Sequence, residues 1–171
     1  MILPTGSLYP DILTSERIVM LSQTTEYALR AIVYLGFTRG APNTTADIAR
    51  ATKTPVGYLA KVMQGLSKAH LVESQRGLHG GFILAREPDA ITMYDVVQAV
   101  DPIMRIKTCP MELEGHGDGL CLLHATLDQA MGQAEALFRA TRISDLIRDS
   151  AAGSSRHPDG CSFPARPPVE V

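Results

Sequence analysis

The stretch of sequence from residue 44 to residue 84 constrains the fold of this chain most strongly. It predicts a helix, a tight turn, a second helix and then a β-hairpin. Thr44 or Thr45 is placed to cap the first of these helices. Thr54 followed by Pro55 is typical of the N-cap and the first position of the second helix. The stretch therefore predicts a helix-turn-helix followed by a hairpin.

The second predicted helix has an apolar face and a polar face. The apolar stripe is formed by residues at helical spacing, namely Tyr58, Leu59, Val62, Met63 and Leu66. The opposite face carries Lys61, Gln64 and Lys68, which leaves it available to an external partner. The hairpin turns at glycines between residues 77 and 81 and returns as the strand 82–84. Such a helix fits the major groove of duplex DNA and the hairpin would be a wing. The alternative is a small packing module that binds no DNA.

Apolar periodicity and its breaks divide the rest of the chain. A first helix is predicted over residues 23–38, and Thr92 caps a short helix at 93–100. From Leu122 to Arg148 the apolar residues predict one long amphipathic helix, with more apolar surface than a small domain covers. We expect this helix to pair with a second copy.

The predicted fold class is mainly α with a small β-wing, a winged helix-turn-helix joined to a long C-terminal dimerisation helix. The parts in chain order are a flexible N-terminal extension at 1–19, the DNA-binding domain at 20–100, a cysteine-containing sensor loop at 101–121, the dimerisation helix at 122–148 and a disordered tail at 149–171.

Composition and charge narrow the function classes. The net charge is −2, but residues 20–90 hold eight Lys/Arg against five Asp/Glu, whereas residues 91–150 hold five against nine. Phosphate binding depends on the local patch, so this asymmetry favours DNA binding by the N-terminal part. The sequence contains no nucleophile–base set and no phosphate-binding glycine loop of the kind that would indicate an enzyme. No apolar run is long enough for a membrane span, and three cysteines with no signal peptide indicate a cytoplasmic protein.

Three motifs in fixed order resemble one family of regulators. They are LSQTTEYALRAIVYL, TPVGYLAKVMQGLSKAHLVESQRGLHGGFILARE and ITMYDVVQAVD. Over residues 20–148 the chain resembles the IscR/NsrR/BadM-type winged-helix transcription regulators of the Rrf-two family. The resemblance implies a homodimer that binds a partly palindromic operator, acts as a repressor and carries an iron–sulfur cluster in many members.

Candidate DNA-binding residues lie at the start of the recognition helix and at the wing tip: Thr54, Gly57, Tyr58, Lys61, Arg76 and His79. Lys61 would donate to a guanine edge or to a phosphate. Arg76, beside a glycine, suits a narrow minor groove of negative potential. Tyr58 either contacts DNA or is a half-buried aromatic that supports the helix. Members that regulate cluster assembly often carry Glu where this chain has Ala60, so operator preference is not inherited from them.

The cysteine loop is the candidate metal site. Cys109 and Cys121 are thiolate candidates, and His124 follows as Cys-x-x-His. In the resemblance, three cysteines precede a histidine, and the middle position falls here on Gly115, with His116 beside it. The resemblance also implies Glu26 as a carboxylate ligand contributed by the partner subunit.

With two thiolates per chain, a [2Fe–2S] cluster of mixed ligation is favoured over a [4Fe–4S] cluster. The expected signal is redox state, nitric oxide or iron–sulfur status. Three alternatives stay open: a clusterless regulator controlled by a protein partner, a switch by thiol oxidation of Cys109 and Cys121, and a zinc site. The candidate ligands can also be ordinary polar residues, with His124 helping to cap the long helix.

Overall fold

The computed structural model describes residues 21–77, 80–110 and 119–151. Within these residues the helices are α1 Gln23–Phe37, α2 Thr45–Thr52, α3 Val56–Lys68, α4 Met93–Val100, α5 Leu122–Ala140 and α6 Ile143–Ala151, and the strands are β1 Val72–Gln75 and β2 Gly81–Leu84. A single 3-10 turn, Pro88–Ala90, precedes α4. The predicted extension at 1–19 lies outside the described residues, as does the predicted tail beyond residue 151. The mainly helical fold with a small wing is confirmed.

The caps decide where most helices begin. The Thr44 hydroxyl accepts a hydrogen bond from the backbone N–H of Asp47 and caps α2, as predicted. Thr92 and Asp95 form a reciprocal capping box at α4, which confirms that start as well. Ser22 caps α1, and this cap was not among the sequence predictions. These short-range bonds fix the helix starts independently of tertiary packing.

The predicted cap of α3 is wrong. Pro55 occupies the N-cap position, and α3 begins at Val56 rather than at the proline. Thr54 is buried, and its hydroxyl accepts a hydrogen bond from the Thr52 hydroxyl over 2.9 Å. The cause lies in the preceding turn, where Lys53 adopts a left-handed conformation at φ 53°. That turn directs the Thr54 side chain into the core, away from the helix N–H groups.

The core lies where α3 packs against α1, α2 and α4. Leu59, Val62, Met63 and Leu66 of the predicted stripe are buried there, whereas Tyr58 is 40% exposed and lies outside it. Burying a side chain of this size contributes about 1.5–3 kcal/mol, so the stripe holds the helix-turn-helix together.

The wing is the antiparallel pair of β1 and β2, with Val72 opposite Leu84 and Gln75 opposite Gly81. Its second strand is also bonded to the loop before α2. Asn43 and Phe82 exchange backbone hydrogen bonds of 3.0 and 2.8 Å. A Cβ at Gly81 would lie 2.5 Å from the backbone of Asn43, so glycine is required for this close approach. The wing is therefore fixed to the helical domain at its base.

The predicted continuous helix at 122–148 is wrong, because α5 ends at Ala140 and α6 begins at Ile143. Between them, Arg142 forms an isolated β-bridge with Thr92, and the N–H of Ile143 donates to the carbonyl of Ile91 over 2.9 Å. Ile143 is fully buried in the domain core. The long helix is therefore interrupted after Ala140, and α6 packs against α1 of the DNA-binding domain.

The return of α6 changes the role of its apolar residues. Leu146 and Ile147 pack against the core of their own chain, and a Cβ on Gly36 of α1 would lie 2.3 Å from Ile147. Leu146, which the sequence assigned to the dimer interface, is therefore partly buried within the protomer.

Helix α5 behaves differently, because none of its residues is buried within the described part of the chain. Its exposed apolar residues are Leu122, Leu123, Leu127, Met131 and Leu137. Among the described residues, no helix is long and apolar enough to cross a membrane.

Candidate functional site

The exposed surface of α3 carries the predicted recognition residues. Gly57, Tyr58 and Lys61 are all exposed. The Tyr58 hydroxyl is hydrogen-bonded to the Thr24 hydroxyl, and its ring meets the Tyr27 ring edge-on, with 5.6 Å between centroids. Tyr58 is thus held in place from α1 while part of its ring stays open to solvent. The supporting role of Tyr58 is confirmed by these contacts, and its contact with DNA stays a prediction.

The wing tip presents Arg76 to solvent next to Gly77. Gly77 has a φ of 119°, which L side chains rarely adopt, and a Cβ at Gly80 would lie 2.4 Å from the carbonyl oxygen of Gln75. The glycines thus allow the tight tip that projects the arginine. His79 lies outside the described residues, and the buried Thr54 is withdrawn from this surface.

The structure brings three predicted ligands together. Cys109, Cys121 and His124 place their Sγ and nitrogen atoms within 4.8 Å of one another. The Nδ1 atom of His124 lies 3.5 Å from Sγ of Cys109 and 3.1 Å from Sγ of Cys121. All three side chains are half-buried.

The geometry of this triad suits a single metal centre. With metal–sulfur and metal–nitrogen bonds of about 2.3 and 2.0 Å, tetrahedral ligands lie about 3.5 Å apart. The Nδ1 atom of His124 lies at this distance from Sγ of Cys109 and 0.4 Å closer to Sγ of Cys121. A thiolate–imidazole set binds iron–sulfur centres and zinc, so the donor chemistry fits the predicted cofactor and also its zinc alternative.

Local structure explains why the triad forms. Cys121 is the N-cap residue of α5, and His124 lies on the first turn of the same helix. Cys109 comes from the segment 101–110, which has no regular secondary structure and follows α4. Between α4 and Cys109, this segment makes a contact with α5 that residue spacing did not predict.

That contact is a group of hydrogen bonds on one carboxylate, here called the Arg105 clamp and formed by Arg105, Ile106 and Asp128. Arg105 donates to Asp128 through Nε and Nη2 over 2.7 and 2.6 Å, and the backbone N–H of Ile106 donates over 2.9 Å. The guanidinium holds the pKa of the Asp128 carboxyl below its usual range. The i, i+4 spacing of His124, Asp128 and Gly132 on α5 was the available signal.

The remaining predicted ligands are not part of the triad. Glu26 of α1 is paired with Arg30, which also donates to the carbonyl of Thr52 over 3.2 Å. Its role as a ligand from a partner subunit stays a prediction. Gly115 and His116 lie outside the described residues.

The sequence of the chain is similar to those of known transcriptional regulators. The family model that matches is Rrf2, described as an iron-dependent transcriptional regulator, over residues 21–149. A protein of Aquifex aeolicus described as an HTH-type transcriptional regulator is 36% identical over 132 residues, covering 75% of this chain and 92% of that protein. The HTH-type transcriptional regulator NsrR of Geobacillus kaustophilus is 29% identical over 140 residues, covering 78% of this chain and 93% of NsrR.

Among solved structures, CymR, the global cysteine regulator of B. subtilis, is similar with a TM-score of 0.62 and 25% identity. The match covers 75% of this chain and 95% of CymR. These proteins are transcriptional regulators, which confirms the resemblance drawn from the three motifs and the expectation that the chain is not an enzyme.

Proposed function

The chain belongs to the Rrf2 family of transcriptional regulators, and on that premise we propose that it is a homodimeric repressor controlled through its cysteine triad. Its operator would be partly palindromic duplex DNA. Its cofactor would be an iron–sulfur cluster, with [2Fe–2S] favoured over [4Fe–4S]. The single observation that carries the sensing part is the convergence of Cys109, Cys121 and His124.

The DNA-binding part of the proposal rests on α3 and the wing. Gly57, Tyr58 and Lys61 face outward at the start of α3, where a recognition helix approaches base edges and phosphates. Arg76, which is exposed at the wing tip, would enter the adjacent minor groove. Two copies would read half-sites about one helical turn of DNA apart.

Dimerisation is proposed through the apolar face of α5. Leu122 is 85% exposed and Leu137 is 63% exposed, and they lie at opposite ends of the same helix. An exposed apolar face of this length is typical of a protein–protein interface. The uncovered face makes a second copy of the chain its natural partner.

The cluster would be held by the thiolates of Cys109 and Cys121 together with His124, and it would supply a reversible redox change. His116 and Glu26 of a partner subunit are the candidates for the remaining ligand. Non-thiolate ligands of this kind raise the potential of a [2Fe–2S] centre relative to an all-thiolate site.

A series of contacts connects the triad with the DNA-binding domain. Arg105 lies 3.7 Å from Glu135, and Glu135 accepts a hydrogen bond of 2.9 Å from Arg139. The guanidinium of Arg139 lies 3.4 Å from the centroid of the Tyr94 ring in α4, which packs against α3. A change of ligation at the triad would thereby alter how α5 packs on α4, and so the separation of the recognition helices across the dimer.

The second candidate function is a clusterless thiol switch. The Sγ atoms of Cys109 and Cys121 are within 4.8 Å of each other, which is close enough for a disulfide after a small movement.

Anaerobic purification with iron and sulfide counted per chain tests the proposal. Cys109→Ser and Cys121→Ser should each lose the cluster, whereas Cys161→Ser, outside the triad, is the matched control and should keep it. An operator selected from random duplexes should bind the parent, and the two triad variants should no longer change their DNA binding when the cluster state changes. A parent that holds no iron but forms a disulfide between Cys109 and Cys121 would favour the thiol switch. A parent that binds no selected duplex would contradict the regulatory function.

A further inference from the structure

The segment that carries Cys109 is bonded to α5 by the Arg105 clamp, in addition to the contact of Cys109 itself with His124. Residues 101–110 contain no helix or strand, so no regular backbone ladder fixes their position. Three hydrogen bonds from Arg105 and Ile106 end on the two oxygens of Asp128. A bidentate arginine–carboxylate pair fixes orientation as well as distance, because its two parallel bonds exclude rotation. The backbone bond from Ile106 adds a third constraint.

The helix surface accommodates this arginine. A Cβ at Gly132 would lie 3.0 Å from Nη1 of Arg105 and 3.1 Å from Cζ, so glycine leaves room for the guanidinium. Glu135, one turn further along, lies 3.7 Å from Nη1 on the same face. The arginine thus lies along α5 with a carboxylate on each side of the glycine.

The short stretch of chain between the clamp and Cys109 limits how far Cys109 can lie from α5. From Ile106 to Cys109 is three residues, which span at most about 10 Å. From Asp128 back to Cys121 is seven helical residues, or about 10 Å along the axis of α5. With the clamp formed, Cys109 is therefore kept within reach of the N-terminal end of α5, where it lies beside Cys121 and His124.

We propose that Arg105 is a positioning residue that holds Cys109 at the triad through Asp128. The proposal deepens the function proposed above and rests on it only for the identity of the bound group. With the clamp formed, three residues join Cys109 to its fixed point. Without it, the nearest helical residue along the chain is Val100, at the end of α4 and nine residues before Cys109. Because effective concentration falls roughly as the −3/2 power of tether length, a threefold longer tether lowers it about fivefold.

The first test measures this effective concentration directly. In the full-length Cys161→Ser protein, the Cys109–Cys121 disulfide is equilibrated against reduced and oxidised glutathione, and the two forms are quantified. Arg105→Gln and Asp128→Asn should each shift the equilibrium toward the dithiol about fivefold, and the double variant should shift it no further. Arg105→Lys should fall between, because lysine keeps the charge but loses the fork. The matched control is Arg148→Gln, which removes an ion pair of 2.6 Å with Asp145 on α6.

The second test uses Co²⁺ alone as the probe, titrated anaerobically while the thiolate-to-cobalt charge-transfer absorption is followed. The clamp variants should bind Co²⁺ more weakly by a similar factor, with helical content unchanged by circular dichroism. If the parent binds no Co²⁺, the metal part of the proposed function fails, while the glutathione equilibrium still decides the role of Arg105. Arg105→Gln and Asp128→Asn equilibria equal to the parent, or an equal shift in Arg148→Gln, would overturn the proposal.

Discussion

Truncation of Ile143 and of Leu137 should separate the two roles that follow from the helix break. Ile143 is fully buried in the core of its own chain, and Leu137 is mostly exposed on α5. Ile143→Ala removes three carbons, worth about 2.4 kcal/mol at roughly 0.8 per buried methylene. The cavity left behind raises the expected loss in the free energy of unfolding to about 2–5 kcal/mol.

Leu137→Ala should change the unfolding of the protomer itself by less than about 0.5 kcal/mol, since the side chain is exposed there. If α5 forms the dimer, the same change removes apolar area from the interface. A loss of about 1.4 kcal/mol would raise the dimer dissociation constant tenfold. Ile143→Ala should therefore change mainly the free energy of unfolding, and Leu137→Ala should change mainly the dimer dissociation constant.

Urea unfolding at two protein concentrations, combined with sedimentation equilibrium, distinguishes the patterns. Ile143→Ala should lower the unfolding midpoint at both concentrations and leave the dissociation constant unchanged. Leu137→Ala should raise the dissociation constant, and its stability should depend on protein concentration. The reasoning would be refuted if Ile143→Ala left unfolding unchanged and weakened the dimer, because that is the behaviour of one continuous helix in an interface.

Two further predictions concern DNA and pH. Lys61→Ala and Arg76→Ala should each weaken operator binding by about 1–3 kcal/mol if a contact with a base edge is lost. Lys107→Ala, outside the recognition surface, should bind like the parent. Fluorescence anisotropy titration of a labelled operator measures all three. The folded pKa of Asp128 is depressed by Arg105, so its stabilising contribution is present above the unfolded pKa of about 3.9 and is lost as pH falls through the folded value. The stability difference between the parent and Asp128→Asn should therefore be constant from pH 5 to 7, begin to fall near the unfolded pKa and disappear only below the folded one; a change centred near pH 6.5 would contradict this.

Local rules predicted the parts of the fold that short-range interactions decide. The starts of α2 and α4 follow from single capping residues, and the stripe on α3 follows from its periodicity. The break at Thr141 was not predictable, because the apolar spacing continues through it and the bridge between Thr92 and Arg142 is a tertiary contact. Similarly, Thr54 reads as a cap until the left-handed turn before it turns the hydroxyl inward.

The candidate site divides in the same way. Cys109, Cys121 and His124 were identified from residue type and spacing, and the structure brings them together. Arg105 was missed because an arginine in a polar segment has no distinguishing pattern until its partner on α5 is known. Tertiary contacts between residues this far apart in the sequence leave no periodic pattern that would identify them.

Helix α5 is held unequally along its length, and this should be visible as a gradient of hydrogen exchange. Its C-terminal end is fixed by the packing of Arg139 on Tyr94 and by the return of the chain to the domain core at Ile143. Like the rest of α5, its N-terminal turns carry no buried residue, and the hydrogen bonds made to them include those of Arg105 to Asp128 and of Cys109 to His124. Local opening costs least where buried apolar contacts are few. Backbone amides near Leu123 should therefore exchange faster than those near Phe138, so the end of the helix that carries the sulfur ligands is also the end that opens most readily.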